Sequence, residues 1–401
     1  MTTAQEVARP KRDRPTWVSY SQLGVYAYLL YTFGVAITFL RDEEGISRQI
    51  ASLHGTALAI GAIVGAAITP ALTRRFGRGP ILRLAAIGMF VGVLLNVSGL
   101  GFVATMLGTF IYAAFGFLGI VGINAFLPEY QGAAAAPAAI SESNVIASIG
   151  GLIGPIAVGI VVWLGWGWRP AAIAALFALI GLELWRGRNT EVYDAQTGHP
   201  EDQPGHDPGG RFPRGFWMYL IVAALVVGSE FVLVYFATDF LRDQGGLGDA
   251  AAAASVATIA GGMLIGRFIG SQAVERVNPE WALQAALGLM LVSFLVAWFA
   301  TNTVVLLIAM TLSGIGLGPL WPLAVTRSVL SSGGLSDRAS SRTAIAAMAS
   351  TAVLPFIVAT IADRYGIHLA MLAIPIMLVL SIFFVFAHPL SPQDQPHPAD
   401  Q

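Results

Sequence analysis

The chain has 401 residues, 56% of them hydrophobic and only 11% charged, with a formal net charge of −1. Soluble domains carry about 25% charged residues, so water is not its main solvent, and a net charge near zero gives no concentrated basic surface for nucleic acid. The absence of cysteine excludes disulfides, thiol catalysis and Cys-ligated metal, and His199, His206, His388 and His397 fall in polar segments, so neither a metal nor another cofactor is expected.

Apolar stretches long enough to cross about 30 Å of hydrocarbon as helices, roughly 20 residues each, fall at 17–40, 49–73, 80–100, 102–127, 141–164 and 169–185. After a gap they resume at 216–241, 250–273, 281–299, 303–326, 341–362 and 367–387. Their glycines lie in continuous apolar runs without the alternation of a barrel, and spanning backbone must satisfy its own hydrogen bonds, so the segments read as helices. The first run is too long for a signal-peptide core and lacks a small-x-small cleavage site, which makes it a span. The segment RGRNTEVYDAQTGHPEDQPGHDPGGRFPR (186–214) is polar and rich in Pro and Gly, as a solvated linker is. The expected organisation is therefore a tail (1–15), a first six-helix bundle (16–185), the linker (186–214), a second six-helix bundle (215–387) and a tail (388–401). With both termini cytoplasmic, inside segments hold sixteen of the 22 Lys and Arg residues, outside segments hold five, and Arg267 falls within a span. That bias predicts termini inside.

The word FLRD occurs at 39–42 and again at 240–243. Sliding 36–75 onto 237–276, an offset of 201, gives twelve identities in forty positions, against about three or four by chance. They include Gly45/Gly246, Gly61/Gly262, Gly65/Gly266 and Arg75/Arg276, and at an offset of 200 the match continues to Gly116/Gly316 and Pro155/Pro355. Two halves with the same internal spacing explain this. Parallel repeats of this kind are a transporter architecture with the binding site between halves near the midplane.

The stretch GAAITPALTRRFGRGPILR (65–83) resembles the signature loop of the major facilitator superfamily, G-x-L-x-D-R-x-G-R-R. Leu72, Arg75, Gly77 and Arg78 match, while Pro70 stands for the first Gly and Arg74 for the acid. AVERVN (273–278) is a degenerate second copy that does carry an acid, Glu275. GGLIGPIAVG (150–159) partly resembles a fifth-helix motif of drug/proton antiporters, and GIGLGPLWPL (314–323) and IADRYGIHLAM (361–371) are similar to stretches of prokaryotic sugar and organic-solute permeases. The resemblance implies the all-α membrane fold of two pseudo-symmetric six-helix bundles, with a cavity lined by the first, fourth, seventh and tenth helices.

Glu230 stands mid-span in VVGSEFVLV, on a helical face shared with Tyr219, Ala223, Val226, Val227 and Val234. An ionised carboxylate there is costly unless paired or hydrated, so the residue reads as a proton-coupling group or a contact for a cationic or hydroxyl-bearing solute. The bland alternative is a carboxyl that braces two helices. Arg267 lies in GGMLIGRFIGSQ beside a stripe of Gly262, Gly266 and Gly270; it either faces the cavity or snorkels to the interface, and direct contact with Glu230 is not expected. The repeat offset sets Leu29 opposite Glu230, so the cavity face of the first helix would carry Gln22, Tyr26 and Phe33, with Tyr28 and Tyr31 turned toward lipid or a neighbouring helix. Asn124 and Trp321 complete the expected cavity lining. Each of these is as readily a packing residue. His54 reads as a helix-packing donor.

The resemblance also implies a cytoplasmic latch around Arg75, Arg78, Glu275 and Arg276. Because Arg74 stands where the family has its acid, the charge positions themselves suggest a different pair, Glu142 with Arg276 across the halves, with Arg342 as the oppositely charged counterpart of Glu142 at the repeat offset. No GxxxxGK[ST] loop supplies ATP and no catalytic constellation is present, so the expectation is a monomeric, gradient-driven transporter in the bacterial cytoplasmic membrane. Protons are the expected coupling ion and a small organic solute the cargo, with a lean to efflux over uptake of a sugar or organic acid. A non-transporting sensor or scaffold of the same fold is the rival from another class.

Overall fold

The computed structural model describes residues 9–132, 134–194, 211–274 and 278–387, and every regular element among them is helical. The first half comprises α1 (Arg14–Glu44), α2 (Arg48–Phe76), α3 (Arg78–Val97), α4 (Phe102–Gln131), α5 (Ala136–Trp163) and α6 (Arg169–Arg186). The second comprises α7 (Arg214–Gly245), α8 (Asp249–Val274), α9 (Pro279–Phe299), the broken pair α10 (Thr303–Leu317) and α11 (Leu320–Leu330), α12 (Ser336–Tyr365), and the broken pair α13 (Ile367–Ala370) and α14 (Ala373–Ala387). Eleven of the described segments are long and apolar enough to cross a membrane. The twelfth passage is α6, whose 18 residues carry Arg169, Glu183 and Arg186 at the ends.

Helix starts follow from local chemistry. Asp13 accepts from Thr16 N at the head of α1 (3.3 Å), Ser47 from Ile50 N at α2 (3.2 Å), and Asn302 from Val304 N at α10 (2.9 Å). The head of α3 has no cap of its own; the Asp194 carboxylate, just after the turn at Glu191–Tyr193, accepts from the backbone N–H groups of Arg78 and Gly79 and pins the start of the linker to the first half. Both FLRD helices end on a left-handed glycine, Gly45 (φ 62°) and Gly246 (φ 59°), a conformation that side-chain-bearing residues disfavour.

The duplication is visible in three dimensions. A Cβ on Gly61 or Gly65 of α2 would collide with the carbonyls of Phe110 and Ala114 on α4, and a Cβ on Gly262 or Gly266 of α8 with those of Thr311 and Ile315 on α10. An offset of 201 relates both members of each contact. Close backbone approach at small residues is how helices associate in lipid, where apolar burial gives little advantage. The outward faces accordingly expose large apolar side chains at helical spacing, such as Ile60, Val64 and Ile68 on α2 and Ile153, Ile156 and Ile160 on α5. We call the face where α1 begins and the linker leaves α6 the terminal face, and the opposite one the distal face.

Candidate functional site

Between the halves lies a cavity of about 190 Å³. From α1 it takes Leu23, Tyr26, Ala27, Leu30 and Tyr31, an i, i+3, i+4, i+7, i+8 stripe, and from α4 it takes Ile120 and Asn124. Asn144, Ala147, Ser148 and Gly151 of α5 form a wall, and the second half adds Glu230 from α7 with Ala260, Met263 and Arg267 from α8. The small residues of α5 and α8 leave the space. Asn124, Asn144 and Arg267 are exposed and lie in the terminal-face halves of their helices, so the cavity opens on that side.

Glu230 is half-buried in the mostly apolar middle of α7. The Tyr31 hydroxyl lies 3.4 Å from its Oε1 and 3.4 Å from Met263 Sδ, and Arg267 Nη1 donates to Ser148 Oγ at 3.0 Å. Glu230 and Arg267 form no ion pair, with each other or with another described residue. A carboxylate and a guanidinium thus share one chamber without direct contact, facing the cavity as intramembrane charges do.

The distal face is closed by the two FLRD copies and their neighbours. Arg41 of the first copy pairs with Asp239, the residue before the second copy, and Arg48 Nε reaches the same carboxylate at 3.0 Å. Arg242 of the second copy answers at 2.9 Å to Asp42 of the first, with its guanidinium 4.8 Å from the Phe39 ring centre. Asp363 accepts from the backbone N–H of Arg48 (3.1 Å) and Gln49 (2.9 Å). Asp239 is only 4% exposed, so this clasp is more than surface pairing. Beneath it, a Cβ on Gly34 would lie 2.7 Å from Val234 Cγ1, and one on Gly55 2.7 Å from the Tyr235 ring. Among the described residues, every ion pair on the terminal face stays within one half: Arg12–Glu142, Arg78–Glu129, Arg83–Glu183, Arg186–Glu183 and Arg327–Glu280. Among the described residues, the ion pairs joining the halves are all distal. The molecule is sealed on one side and open on the other.

Of the residues singled out in the sequence, Tyr26, Asn124, Glu230 and Arg267 come together here. Gln22 does not: it donates to the Leu82 carbonyl at 3.0 Å and accepts from Arg186, inside the first half. Phe33 stacks on Tyr112 with ring centres 5.0 Å apart, Tyr219 accepts from Arg327 Nη2 at 2.6 Å, and Trp321 packs half-buried against the core. Tyr31, expected to turn away, lines the cavity, whereas Leu29 is wholly buried. The cause is asymmetry. The cavity engages five helices, α1, α4 and α5 from one half but only α7 and α8 from the other, so the lining face of α1 is not the one that the repeat offset assigns. Tyr28 donates to the Ala171 carbonyl at 2.6 Å, and His54 is bonded through both ring nitrogens, to Ala51 O and Thr105 Oγ1 at 2.9 Å each.

The latch residues have other partners in this conformation. Glu142 pairs with Arg12 at 2.7 Å, Arg78 holds Glu129 through both terminal nitrogens at 2.7 and 2.9 Å, Arg75 lies over Phe76, and Arg342 over Phe212 and Trp217. Arg78, read as part of the latch, instead joins α3 to α4 within one half. Glu275 and Arg276 lie outside the described residues. Asp239, Arg48 and Asp363 were missed; the repeated FLRD word marked the corners beside Asp239 and Arg48, whereas no sequence signal pointed to Asp363.

Twelve helices in two duplicated halves around a one-sided cavity define a membrane transporter. The family model described as Major Facilitator Superfamily matches residues 21–326, and the chain belongs to that family. It is a multi-pass transporter rather than an enzyme. No curated protein matches the sequence. Among solved structures the fold is similar to that of a bacterial homologue of the human lysosomal transporter Spinster in an inward-facing, occupied conformation (TM-score 0.74, 15% identity, 97% of this chain and 100% of that one). It is also similar to a D-xylose–proton symporter (0.74, 15%, 95% and 98%) and to the nucleoside transporter NupG (0.73, 12%, 93% and 98%).

Proposed function

We propose that the protein couples a proton gradient to movement of a small organic solute, as a single chain in the bacterial cytoplasmic membrane, by exposing one cavity alternately to each side. The observation that carries this reading is Glu230, an ionisable group that makes no ion pair with a described residue, in a chamber bounded by both halves. A proton taken there from one side and released to the other, as the halves rock, links proton flow to the solute cycle. The D-xylose–proton symporter indicates that this fold accommodates such coupling.

The bias of sixteen Lys and Arg residues to five supports a cytoplasmic terminal face. The described state is then inward-open, with the Asp239 clasp as the outer gate. The antiporter-like glycines of α5 carry little weight for exchange, since a Cβ on Gly150 would collide with the Gly24 carbonyl and one on Gly154 would lie 2.9 Å from the Tyr28 carbonyl: they are there to seat α5 on α1. The test is solute-driven proton movement in proteoliposomes, native protein against Glu230→Gln. The variant should fold, bind solute and lose the linked proton flux; full flux in Glu230→Gln would remove Glu230 as the coupling site.

A further inference from the structure

The charges of the cavity bear on its cargo. Arg267 is the one basic residue among the lining residues and Glu230 the one acid, and they are set at different depths. Glu230 is level with Met263, since Tyr31 touches both, and Arg267 follows Met263 by four residues, about 6 Å nearer the terminal face along α8. Among the described residues, the hydrogen-bond partner of Arg267 is a neutral hydroxyl, Ser148. A guanidinium stays charged at any physiological pH and presents a planar fork suited to a carboxylate. Glu230, the one carboxylate of the lining, makes no ion pair with it.

We propose that the transported solute is a small organic anion whose acidic group binds Arg267 and which travels in the same direction as the proton on Glu230. This rests on the coupling reading above and extends it to the sign of the cargo. With Glu230 ionised the cavity is neutral overall; with Glu230 protonated it carries one positive charge, facing the anion. Proton and anion therefore strengthen each other's binding, and the effect is reciprocal. A cation would compete with the proton at Glu230 and give exchange instead. The groups facing Glu230 add no competing charge: Tyr26 and Tyr31 come from α1 and Arg267 from α8, while α4 and α5 offer only Asn124, Asn144 and Ser148. Leu23, Leu30, Ile120 and the ring of Tyr26 leave an apolar region for the body of the solute.

The experiment uses the full chain in proteoliposomes and three matched solute sets: short-chain and aryl monocarboxylates, their amides, and the corresponding amines. Inward carboxylate gradients should carry protons inward, and amides and amines should not. Arg267→Gln should raise the carboxylate KM at least tenfold, with Arg267→Lys in between, while solute-free thermal stability stays near that of the native protein. Glu230→Gln should keep carboxylate binding and lose its proton linkage. Movement of amines or amides alone, no movement of any carboxylate, or a carboxylate KM within twofold of native in Arg267→Gln would overturn the anion assignment and leave Glu230 untouched. Undiminished proton flux in Glu230→Gln would instead overturn the coupling site.

Discussion

Tyr31 is the residue whose role changes most between sequence and structure. Its hydroxyl sits at 3.4 Å from Glu230, beyond the 2.5–3.0 Å of a strong O–H···O bond, so it steadies the carboxylate rather than holding it. Tyr31→Phe should therefore slow solute-linked proton movement by less than about tenfold and change thermal stability by about 1 kcal/mol or less. Loss of coupling as complete as in Glu230→Gln would mean instead that the hydroxyl is part of the proton path. Glu230 itself was legible from sequence because an intramembrane acid is costly and conspicuous. Tyr31 was not, because helical periodicity says which residues share a face but not which face the bundle turns inward.

At the scale of elements, hydropathy and glycine spacing marked every span, since a lipid-crossing helix must be long and apolar. The break at Gly318–Pro319 falls in the glycine-rich, bendable stretch before Trp321–Pro322, whereas the one at Met371–Leu372 interrupts a run whose hydropathy is continuous and carries no such signal. The repeat allows a matched prediction. Gly65→Val on α2 and Gly266→Val on α8 place a side chain against the equivalent carbonyls of Ala114 and Ile315, and each should destabilise its helix pair by about 1–3 kcal/mol. Thermal unfolding in detergent measures both. A large loss in one and none in the other would show that the two halves do not pack alike. The clasp illustrates the limit of reading elements singly. FLRD was legible as a corner of each half, but that the two corners grip each other depends on how the halves lean together.

At the scale of the molecule, the distribution of ion pairs among the described residues is the informative feature: those between halves are distal, and those on the terminal face stay within a half. Asp239 holds Arg41 and Arg48 together, so removing its charge loosens the distal clasp without touching the cavity. A change of about 1–3 kcal/mol, the usual size of such couplings, would shift the balance between the two openings roughly 5- to 150-fold. The cysteine-free sequence makes this direct to read with single introduced thiols. Thr38 is buried in α1 one turn beyond Gly34 toward the distal face, and Asn144 is exposed at the terminal mouth. The decisive measurement is the rate at which a membrane-impermeant thiol reagent modifies Thr38→Cys and Asn144→Cys, each with and without Asp239→Asn. Alternating access predicts slow labelling at 38 and fast labelling at 144 in the native background, with Asp239→Asn raising the first and lowering the second. Rates that rise together at both positions, or a distal rate that Asp239→Asn leaves unchanged, would contradict it.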